Sequence, residues 1–294
     1  MIDIPEGLAI DIKRQAGTAA DSWLARLPAL VELLCDEWNL TIEGSPMHGA
    51  RGLVLLVDRH SEKLALKVAW PDETTAREYR ALAAWDGRSM VHLLDSRPAT
   101  GSALLERLDA NRPLSSIPIA DAISVAGGLI RTLSVETDVQ FPTMAERTVE
   151  ISTTLPHRWE TMGRPFSRRL LDMSLQHALQ LGQRPARTMV DWDLHYDNIL
   201  GGSRLPWIAV DPMVVLGDPE LGLAQLLWTR LEEIDGPIQL RDLFDSLIDH
   251  AGLDRTLADA WAIVRLTDYW LWALGVGLTI DPVRCATAIE WLGY

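Results

Sequence analysis

Hydrophobic and polar positions change their spacing along the chain, and each change indicates a different kind of structure. Residues 19–38, AADSWLARLPALVELLCDEW, carry apolar side chains at helical intervals, which predicts an N-terminal helix. Residues 40–60 and 63–70 form short β-type runs separated by glycine-containing or polar turns, which predicts strands. Residues 71–87 begin with Pro and acids and end with Gly, so they predict one long helix.

A change of composition then predicts where the first lobe ends. Residues 90–108 favour two more strands around a turn, which completes a small sheet with the long helix laid on it. The next segment, LDANRPLSS (108–116), is polar and rich in turn residues. We therefore expect an N-terminal lobe over residues 1–107 and a C-terminal lobe over residues 108–294.

The second lobe is predicted to be mainly helical. Apolar spacing favours helices over residues 117–136, 143–162 and 166–182. Residues 188–211 are the exception, because they predict two short strands that flank a loop; helices resume after them. The apolar stretch 269–280 is too short to span a bilayer and favours a buried helix. This order of elements predicts an α+β, bilobal protein with a small β-rich lobe and a larger helical one.

Composition and charge exclude several classes of partner. The chain has 294 residues, of which 48% are apolar, enough for two packed lobes. Its net charge of −14 repels phosphate backbones, so we expect no nucleic-acid partner; it favours cations such as a polyamine or an aminosugar. Cys35 and Cys285 lack metal-ligand spacing, which favours a reduced, cytoplasmic setting without a disulfide. The N-terminal residues lack a signal-peptide pattern, and we expect no membrane partner.

Three polar residues point to a specific chemistry. Asp193 and Asn198 lie five residues apart in the stretch DWDLHYDNIL, and Asp211 follows thirteen residues after Asn198, behind the apolar run WIAV. Mg²⁺ takes a few protein oxygen ligands together with substrate phosphates, and Asn198 and Asp211 provide such a partial shell. Asp193, left free of metal, is able to accept a proton from an attacking hydroxyl. This is the division of roles in kinase-type phosphoryl transfer.

Two further residues fit the same chemistry. Lys67 lies inside the apolar strand LALKVAW, where an unpaired ammonium is costly, and Glu78 in the following helix is its expected ion-pair partner. Such a lysine supplies the cation that the nucleotide phosphates need. His195 follows Asp193 by two residues, where it either approaches the transferred phosphoryl group or fixes the loop by hydrogen bonding. The sequence leaves both roles of His195 open.

With these motifs the chain resembles the aminoglycoside and hydroxyurea phosphotransferases, and most closely the streptomycin 6-phosphotransferase group. The resemblance covers nearly the whole chain, from WNLTIEGSPM through LALKVAWPDE and DLHYDNIL to WIAVDPMVVLGDPELGLAQLLW. It implies a protein-kinase-like fold, the use of ATP with Mg²⁺, and phosphorylation of a hydroxyl on a small molecule, often an antibiotic.

The resemblance also implies residue roles that match those above. The segment LLERL resembles the hinge, whose backbone from Glu106 to Leu108 binds the adenine by hydrogen bonds. The other roles implied are those of the catalytic base Asp193, the metal ligands Asn198 and Asp211, the phosphate-binding Lys67 and its ion-pair partner Glu78.

Two residues of the catalytic loop depart from the family pattern, His-Gly-Asp-Leu-His. Asp191 replaces the first His, and Trp192 replaces the Gly. A second carboxylate near Asp193 is expected to raise the pKa of Asp193, because like charges disfavour ionisation. Trp192 is expected to have an ordinary φ and to line and narrow the acceptor site.

Some residues and alternatives remain open at this stage. Asp218 is expected to act as a helix N-cap. Four other acids are candidate contacts for a cationic acceptor, although a solvated face is the simpler interpretation of each: Glu232, Glu233, Asp235 and Asp268. Alternatives to an aminoglycoside kinase are a kinase of another metabolite or a hydroxyurea-like compound, and a non-catalytic nucleotide-binding relative. We expect a monomer or weak dimer.

Overall fold

The computed structural model describes residues 2–185 and 187–294. The chain forms two compact units. The first comprises the residues up to Asp109 together with Gly202–Arg204, and the second comprises Ala110–Gly201 and Leu205–Tyr294. Fold class follows from their contents, because the first is built around one antiparallel sheet and the second is mainly helical.

As far as the structure describes it, the first unit is a five-stranded antiparallel sheet with three α-helices. Its elements in chain order are α1 (Glu6–Ala16), α2 (Ala19–Trp38), β1 (Thr41–His48), β2 (Gly52–Arg59), β3 (Glu62–Ala69), α3 (Glu73–Trp85), β4 (Leu93–Arg97) and β5 (Ser102–Glu106). The strands lie in the order β1–β2–β3–β5–β4. The predicted leading helix 19–38, the long helix and all five strands are confirmed, whereas α1 was not predicted.

Local signals explain the boundaries of these elements. Asp72 caps α3, since its side chain accepts the Thr75 N–H at 3.0 Å. The β2–β3 hairpin turns through two residues with positive φ, His60 and Ser61, as a two-residue turn between twisted strands requires. Helix α2 ends at Asn39, which adopts the left-handed conformation with φ 54°.

Strand β3 has two different faces. Leu64, Leu66 and Val68 belong to a hydrophobic core that also contains residues of α1 and α2. Because side chains alternate along a strand, Lys67 projects from the opposite face. There its Nζ lies 2.7 Å from a carboxylate oxygen of Glu78 in α3, so the predicted ion pair is observed.

In its described residues the second unit contains six α-helices and several short strands; the first of these strands begins at Asp109, the last residue of the first unit's main segment. Its elements in chain order are β6 (Asp109–Pro113), α4 (Ile119–Leu133), β7 (Val135–Glu136), α5 (Met144–Thr161), α6 (Arg168–Leu181), β8 (Thr188–Asp191), β9 (Ile199–Gly201), β10 (Trp207–Ala209), β11 (Val214–Leu216), α7 (Pro237–Ala251), α8 (Arg255–Gly275) and α9 (Ile280–Leu292). The strands form two three-stranded sheets, in the orders β10–β9–β6 and β11–β8–β7. The three helices predicted before residue 182 are confirmed.

Three predictions for this part of the chain were wrong in detail. The segment 108–116, expected to be a turn-rich linker, contains strand β6. Residues 188–211 contain three short strands rather than two, and the helix that resumes at Pro219–Leu227 is of the 3₁₀ type. Strands of three or four residues are too short to show an alternating pattern, which explains why their number was underestimated.

The prediction of a buried helix over 269–280 is only partly correct, because the helix includes the buried Leu271 and Ala273 but not the end of this stretch. Helix α8 ends at Gly275, and Gly277 turns the chain with φ 81°. Trp272 is 49% exposed and Ile280 is 64% exposed. These side chains line surface pockets instead of the core, which is a common use of exposed apolar residues. No helix in the described part of the chain is long and apolar enough to cross a membrane.

Candidate active site

Two antiparallel strand pairs bring the segments that contain Asp193, Asn198 and Asp211 next to one another. Strand β8 pairs with β11 and β9 pairs with β10, both antiparallel, so the loop after Asp191 lies beside the segment that follows β10. Two backbone hydrogen bonds join these segments: the Trp192 N–H donates to the Met213 carbonyl at 3.1 Å, and the Val210 N–H donates to the Asn198 carbonyl at 2.8 Å. Residues distant in sequence are thereby held next to one another.

Asn198 and Asp211 are placed by this arrangement. Asn198 ends a 3₁₀ turn in which its N–H donates to the His195 carbonyl at 3.0 Å. Asp211 follows Val210 directly, is exposed, and has φ 52°. A non-glycine residue in the left-handed region is uncommon, and such residues cluster at functional sites. One amide and one carboxylate side chain on neighbouring, hydrogen-bonded segments are a donor set that suits Mg²⁺ completed by phosphate oxygens.

Asp193 is partly buried. Burial raises the pKa of its carboxyl, while the nearby His195, a hydrogen bond from the Gln225 side chain and the Arg265 guanidinium pull that pKa down. The charge of Asp211 raises it again. A carboxylate with a raised pKa and a cationic neighbour is the kind of group that serves as a general base near neutral pH.

A pocket of about 420 Å³ opens at Asp193. Helices α5 and α8 supply most of its wall, with side chains that include Arg147, Arg158 and Tyr269. The volume lies within the range typical of small-molecule sites. Asp193 therefore has room for a small acceptor beside it.

Trp192 lines the same pocket. That this pocket is the acceptor site, which Trp192 is expected to line and narrow, stays a prediction. Its φ is not positive, which confirms the expected ordinary backbone. The guanidinium carbons of Arg147 and Arg265 lie over the indole ring, 4.4 Å and 4.5 Å from its centroid. These cation–π contacts hold the indole against α5 and α8. Trp192 thus belongs to the wall of the pocket that contains Asp193.

Asp191 supports the loop from beneath. It is 3% exposed, and its Oδ1 accepts the N–H groups of Asp193 at 3.2 Å and of Met213 at 3.1 Å. Its Oδ2 is buried without a hydrogen-bond partner among the described residues. Burial, then the charge of Asp193, raises the pKa of Asp191 well above its usual value. The sequence predicts that the charge of Asp191 raises the pKa of Asp193. The repulsion instead raises the pKa of Asp191, and the main cause of the raised pKa of Asp193 is burial.

We expect Asp191→Asn to stabilise the fold at neutral pH. The folded protein holds the proton of Asp191 more tightly than the unfolded chain does, so the wild type loses stability as pH rises from about 3.9 towards the raised pKa. Asparagine does not titrate, and its carbonyl accepts the same two N–H groups. The melting temperature of Asp191→Asn should exceed that of the wild type at pH 7, and the difference should shrink at pH 4.

Asp191→Ala is the matched control. It also removes the titrating carboxyl, but it leaves both backbone N–H groups without their acceptor, so it should melt at a lower temperature than Asp191→Asn at both pH values; an unsatisfied buried donor costs about 1–3 kcal/mol. Equal melting temperatures of Asp191→Asn and wild type across this pH range would contradict the assignment of a raised pKa to Asp191.

In the first unit, Lys67 and Glu78 form a largely shielded ion pair. Their side chains are 9% and 14% exposed, and the Nζ–Oε1 distance is 2.7 Å. Two charges withdrawn from water in this way are costly unless they are paired. Position and pairing agree with the role that the sequence predicts for Lys67.

The predicted hinge residue Glu106 uses its side chain structurally. Its carboxylate accepts the His92 N–H at 2.8 Å and two N–H groups of Arg204, at 2.5 and 3.1 Å. Arg204 also donates to the carbonyls of Gly87 and Met90. These contacts fix the end of β5, and Leu108 follows it by two residues. The Glu106 N–H also donates to the His92 carbonyl at 3.0 Å, so both the side chain and the N–H of Glu106 are already hydrogen-bonded; adenine binding by this segment stays a prediction.

Two other acids differ from expectation. Asp218 stands at the N-cap position of the 3₁₀ helix, but its side chain makes no cap hydrogen bond. It accepts instead from Arg184 at 2.8 and 2.9 Å and from the Trp261 indole at 3.1 Å. Asp268 is not on a solvated face: it is 7% exposed and pairs with Arg158 at 2.8 Å.

The remaining candidate acids include two that are held by arginines. Glu232 pairs with Arg284 and Glu233 with Arg230, both at 2.5 Å. Neither lines the pocket at Asp193. These two residues therefore stabilise the surface of the second unit rather than the predicted site.

Sequence reasoning missed Gln225 and Arg265. Both lie in apolar helical segments, and only the fold brings them to Asp193. Arg265 carried a detectable signal, because a cation inside the buried run AWAIVRLTDYW requires a partner. Gln225 carried none, since a single amide in a helix is usually a surface residue.

Comparisons with known proteins identify relatives of this chain. The sequence profile described as "Aminoglycoside/hydroxyurea antibiotic resistance kinase" matches residues 37–277. Streptomycin 6-kinase of Streptomyces glaucescens is 36% identical, over 100% of this chain and 98% of that protein. Hydroxyurea phosphotransferase of Kitasatospora aureofaciens is 35% identical, over 99% of this chain and 86% of that protein.

Solved structures show the same fold at low sequence identity. Choline kinase from Streptococcus pneumoniae has a TM-score of 0.58 and 13% identity, over 89% of this chain and 98% of that chain. A thermostable mutant of aminoglycoside phosphotransferase APH(4)-Ia, in complex with ADP and hygromycin B, has a TM-score of 0.59 and 14% identity, over 90% and 98%. The chain thus has the α+β, protein-kinase-like fold, and it belongs to the aminoglycoside/hydroxyurea antibiotic resistance kinase family.

Proposed function

We propose that this kinase transfers the γ-phosphoryl group of ATP to a hydroxyl of a small-molecule antibiotic and thereby inactivates it. The observation that carries this proposal is the position of Asp193 at a pocket of about 420 Å³, beside the hydrogen-bonded segments that hold Asn198 and Asp211. That combination provides a base, a metal-type donor pair and space for an acceptor.

In this mechanism Asp193 accepts the proton of the acceptor hydroxyl. The hydroxyl oxygen forms a bond to the γ-phosphorus, the bond between that phosphorus and the β–γ bridging oxygen breaks, and ADP leaves. Arg265 and the Gln225 hydrogen bond favour the ionised form of Asp193 against the effect of burial. His195 either approaches the transferred group or fixes the loop, where its carbonyl already accepts the Asn198 N–H.

We assign the nucleotide and metal contacts to the residues that the sequence predicts for them. Asn198 and Asp211 would hold Mg²⁺, which neutralises charge on the nucleotide phosphates when it is bound. Lys67, kept in place by Glu78, would contact the phosphates, and the backbone from Glu106 to Leu108 would bind the adenine. We further propose that the reaction takes place in the cytoplasm, where ATP is available, and that the enzyme acts as a monomer or weak dimer.

The names of the relatives reduce the number of candidate acceptors. Streptomycin 6-kinases of two Streptomyces species are 36% and 35% identical to this chain. We therefore place a streptomycin-type aminoglycoside first. A hydroxyurea-like compound is second, because hydroxyurea phosphotransferase is 35% identical over nearly the same length. The retained Asp193, Asn198, Asp211 and Lys67 argue against a non-catalytic relative.

A screen of acceptors tests the proposal. The purified enzyme is incubated with ATP, Mg²⁺ and a panel that contains streptomycin, other aminoglycosides, hydroxyurea and cyclic polyols. ATP consumption is followed, and mass spectrometry identifies a product heavier by one phosphoryl group. We expect phosphorylated streptomycin as the main product. Nucleotide binding without turnover on any acceptor would contradict the proposal and favour the non-catalytic alternative.

A further inference from the structure

The pocket at Asp193 offers a cationic acceptor few available carboxylates. Glu150 is paired with Arg147 at 2.5 Å. Asp268 is paired with Arg158 at 2.8 Å and lies 3.6 Å from Arg265. Asp268 is buried, so binding a cation there would require its pair to break and would leave a buried charge without its partner. Glu150 is exposed, so water screens its charge and a cation gains little by binding there.

The aromatic face of Trp192 is also occupied. The guanidiniums of Arg147 and Arg265 already lie over its ring, within 4.5 Å of the centroid. A third cation at this ring would meet repulsion from both arginines. Neither the paired acids nor Trp192 is therefore a favourable place for a positive group of the acceptor.

The same pocket has a second aromatic wall, formed by side chains other than Trp192. Tyr269 and Trp272 lie three residues apart on α8, so they share one face of the helix, and their ring centroids are 5.3 Å apart. Tyr269 is held from behind: it stacks on Trp228 at 4.7 Å, and its hydroxyl donates to Asp281 at 2.8 Å. The Tyr269 ring is therefore fixed in its orientation.

Trp272 presents an open indole to the pocket. It is 49% exposed although Trp228, behind Tyr269, is fully buried. In the described part of the chain no arginine guanidinium lies over the Trp272 ring. An exposed indole next to a fixed tyrosine is a surface on which a flat group is able to stack.

We propose that Tyr269 and Trp272 form a subsite that binds a planar cation, a guanidinium group of the acceptor, by stacking. This inference rests on the proposed function, since it places the acceptor in the pocket at Asp193. A guanidinium is flat, delocalised and weakly hydrated, so it stacks on aromatic faces more readily than an ammonium does. The subsite binds a positive charge without a free carboxylate and thus keeps Asp193 for the reacting hydroxyl.

The variant Trp272→Ala tests the subsite by steady-state kinetics with two acceptors. Streptomycin carries guanidinium groups, and hydroxyurea carries no positive charge. Loss of one cation–π contact should raise the KM for streptomycin about 3- to 30-fold. The change in KM for hydroxyurea should be at least threefold smaller, and the KM for ATP should stay within about twofold.

Two control variants distinguish loss of stacking from other effects of the substitution. Trp272→Phe keeps an aromatic face and should restore most of the affinity for streptomycin. Ile238→Ala removes another exposed apolar side chain, 80% exposed and outside this pocket, and should change neither KM. Equal loss for both acceptors in Trp272→Ala, or no rescue by phenylalanine, would overturn the stacking proposal.

Direct binding separates this proposal from the proposed function. If the wild type phosphorylates no acceptor, the proposed function fails, and calorimetric titration with streptomycin still tests the subsite. Binding by the wild type that weakens about 3- to 30-fold in Trp272→Ala supports it. Binding of equal strength in both proteins, or no binding to the wild type, overturns it.

Discussion

Asp193→Asn should lower kcat by about 10²- to 10⁴-fold, the usual contribution of a positioned general base. Asparagine has nearly the shape of aspartate, and its carbonyl oxygen still accepts the hydrogen bond from Gln225. The backbone N–H that donates to Asp191 is unchanged. Stability and nucleotide affinity should therefore stay near the wild-type values. The measurements are steady-state kinetics with the acceptor found by screening, thermal unfolding, and calorimetry with ATP.

Asp197→Asn is the matched control for this result. Asp197 lies in the same loop but is exposed, and it accepts a hydrogen bond from Ser115 at 2.5 Å. Its change should leave kcat within about threefold of the wild type, because an exposed hydrogen bond contributes about 1 kcal/mol or less. If Asp193→Asn kept turnover within tenfold of the wild type, Asp193 would not be the base.

The pH dependence of the wild type follows from the same residue. Burial raises the pKa of Asp193, and only its ionised form accepts a proton. Turnover should therefore fall as pH decreases through this raised pKa, at a higher pH than an exposed aspartate would give. In Asp193→Asn this acidic decline of the residual activity should be absent.

The sequence predicted the sheet and the long helices well because their signals are local and repeated. In α2 the buried Trp23, Leu27 and Val31 recur at helical spacing, so its bounds could be placed from the pattern alone. The short strands that position the site carry three or four residues each. The pairing of these strands depends on contacts between segments that are distant in sequence, and a local sequence pattern does not predict such contacts.

The residues of the candidate site also divide into those that a local sequence pattern predicts and those that depend on the fold. Asp193, Asn198 and Asp211 could be recognised because an acid, an amide and a second acid at this spacing are typical of phosphoryl transfer. The residues around them could not be recognised. Arg265 lies 72 residues after Asp193 in a helix, and its approach to Asp193 depends on how α8 packs. The exposure of Trp272 was likewise missed, because hydrophobicity alone does not distinguish a pocket wall from a core.

Asp211→Asn should raise the Mg²⁺ concentration needed for half-maximal activity by about tenfold or more, since loss of even an outer-shell partner costs 10- to 100-fold in metal affinity. The amide keeps an oxygen but loses the negative charge that a hard cation prefers. Asparagine also tolerates the left-handed conformation at φ 52°, so stability should be retained. Calorimetry of ATP binding at a series of Mg²⁺ concentrations measures the effect without turnover.

Asp211→Ala distinguishes loss of the ligand from backbone strain. Alanine removes the ligand as well, but it is strained at positive φ, so this variant should also melt at a lower temperature; the cost is of order 1–3 kcal/mol. Both variants should therefore show the same shift in Mg²⁺ dependence, while only Asp211→Ala loses stability. An unchanged Mg²⁺ dependence of ATP binding in Asp211→Asn would show that another acid holds the metal, because the left-handed backbone is preserved in that variant.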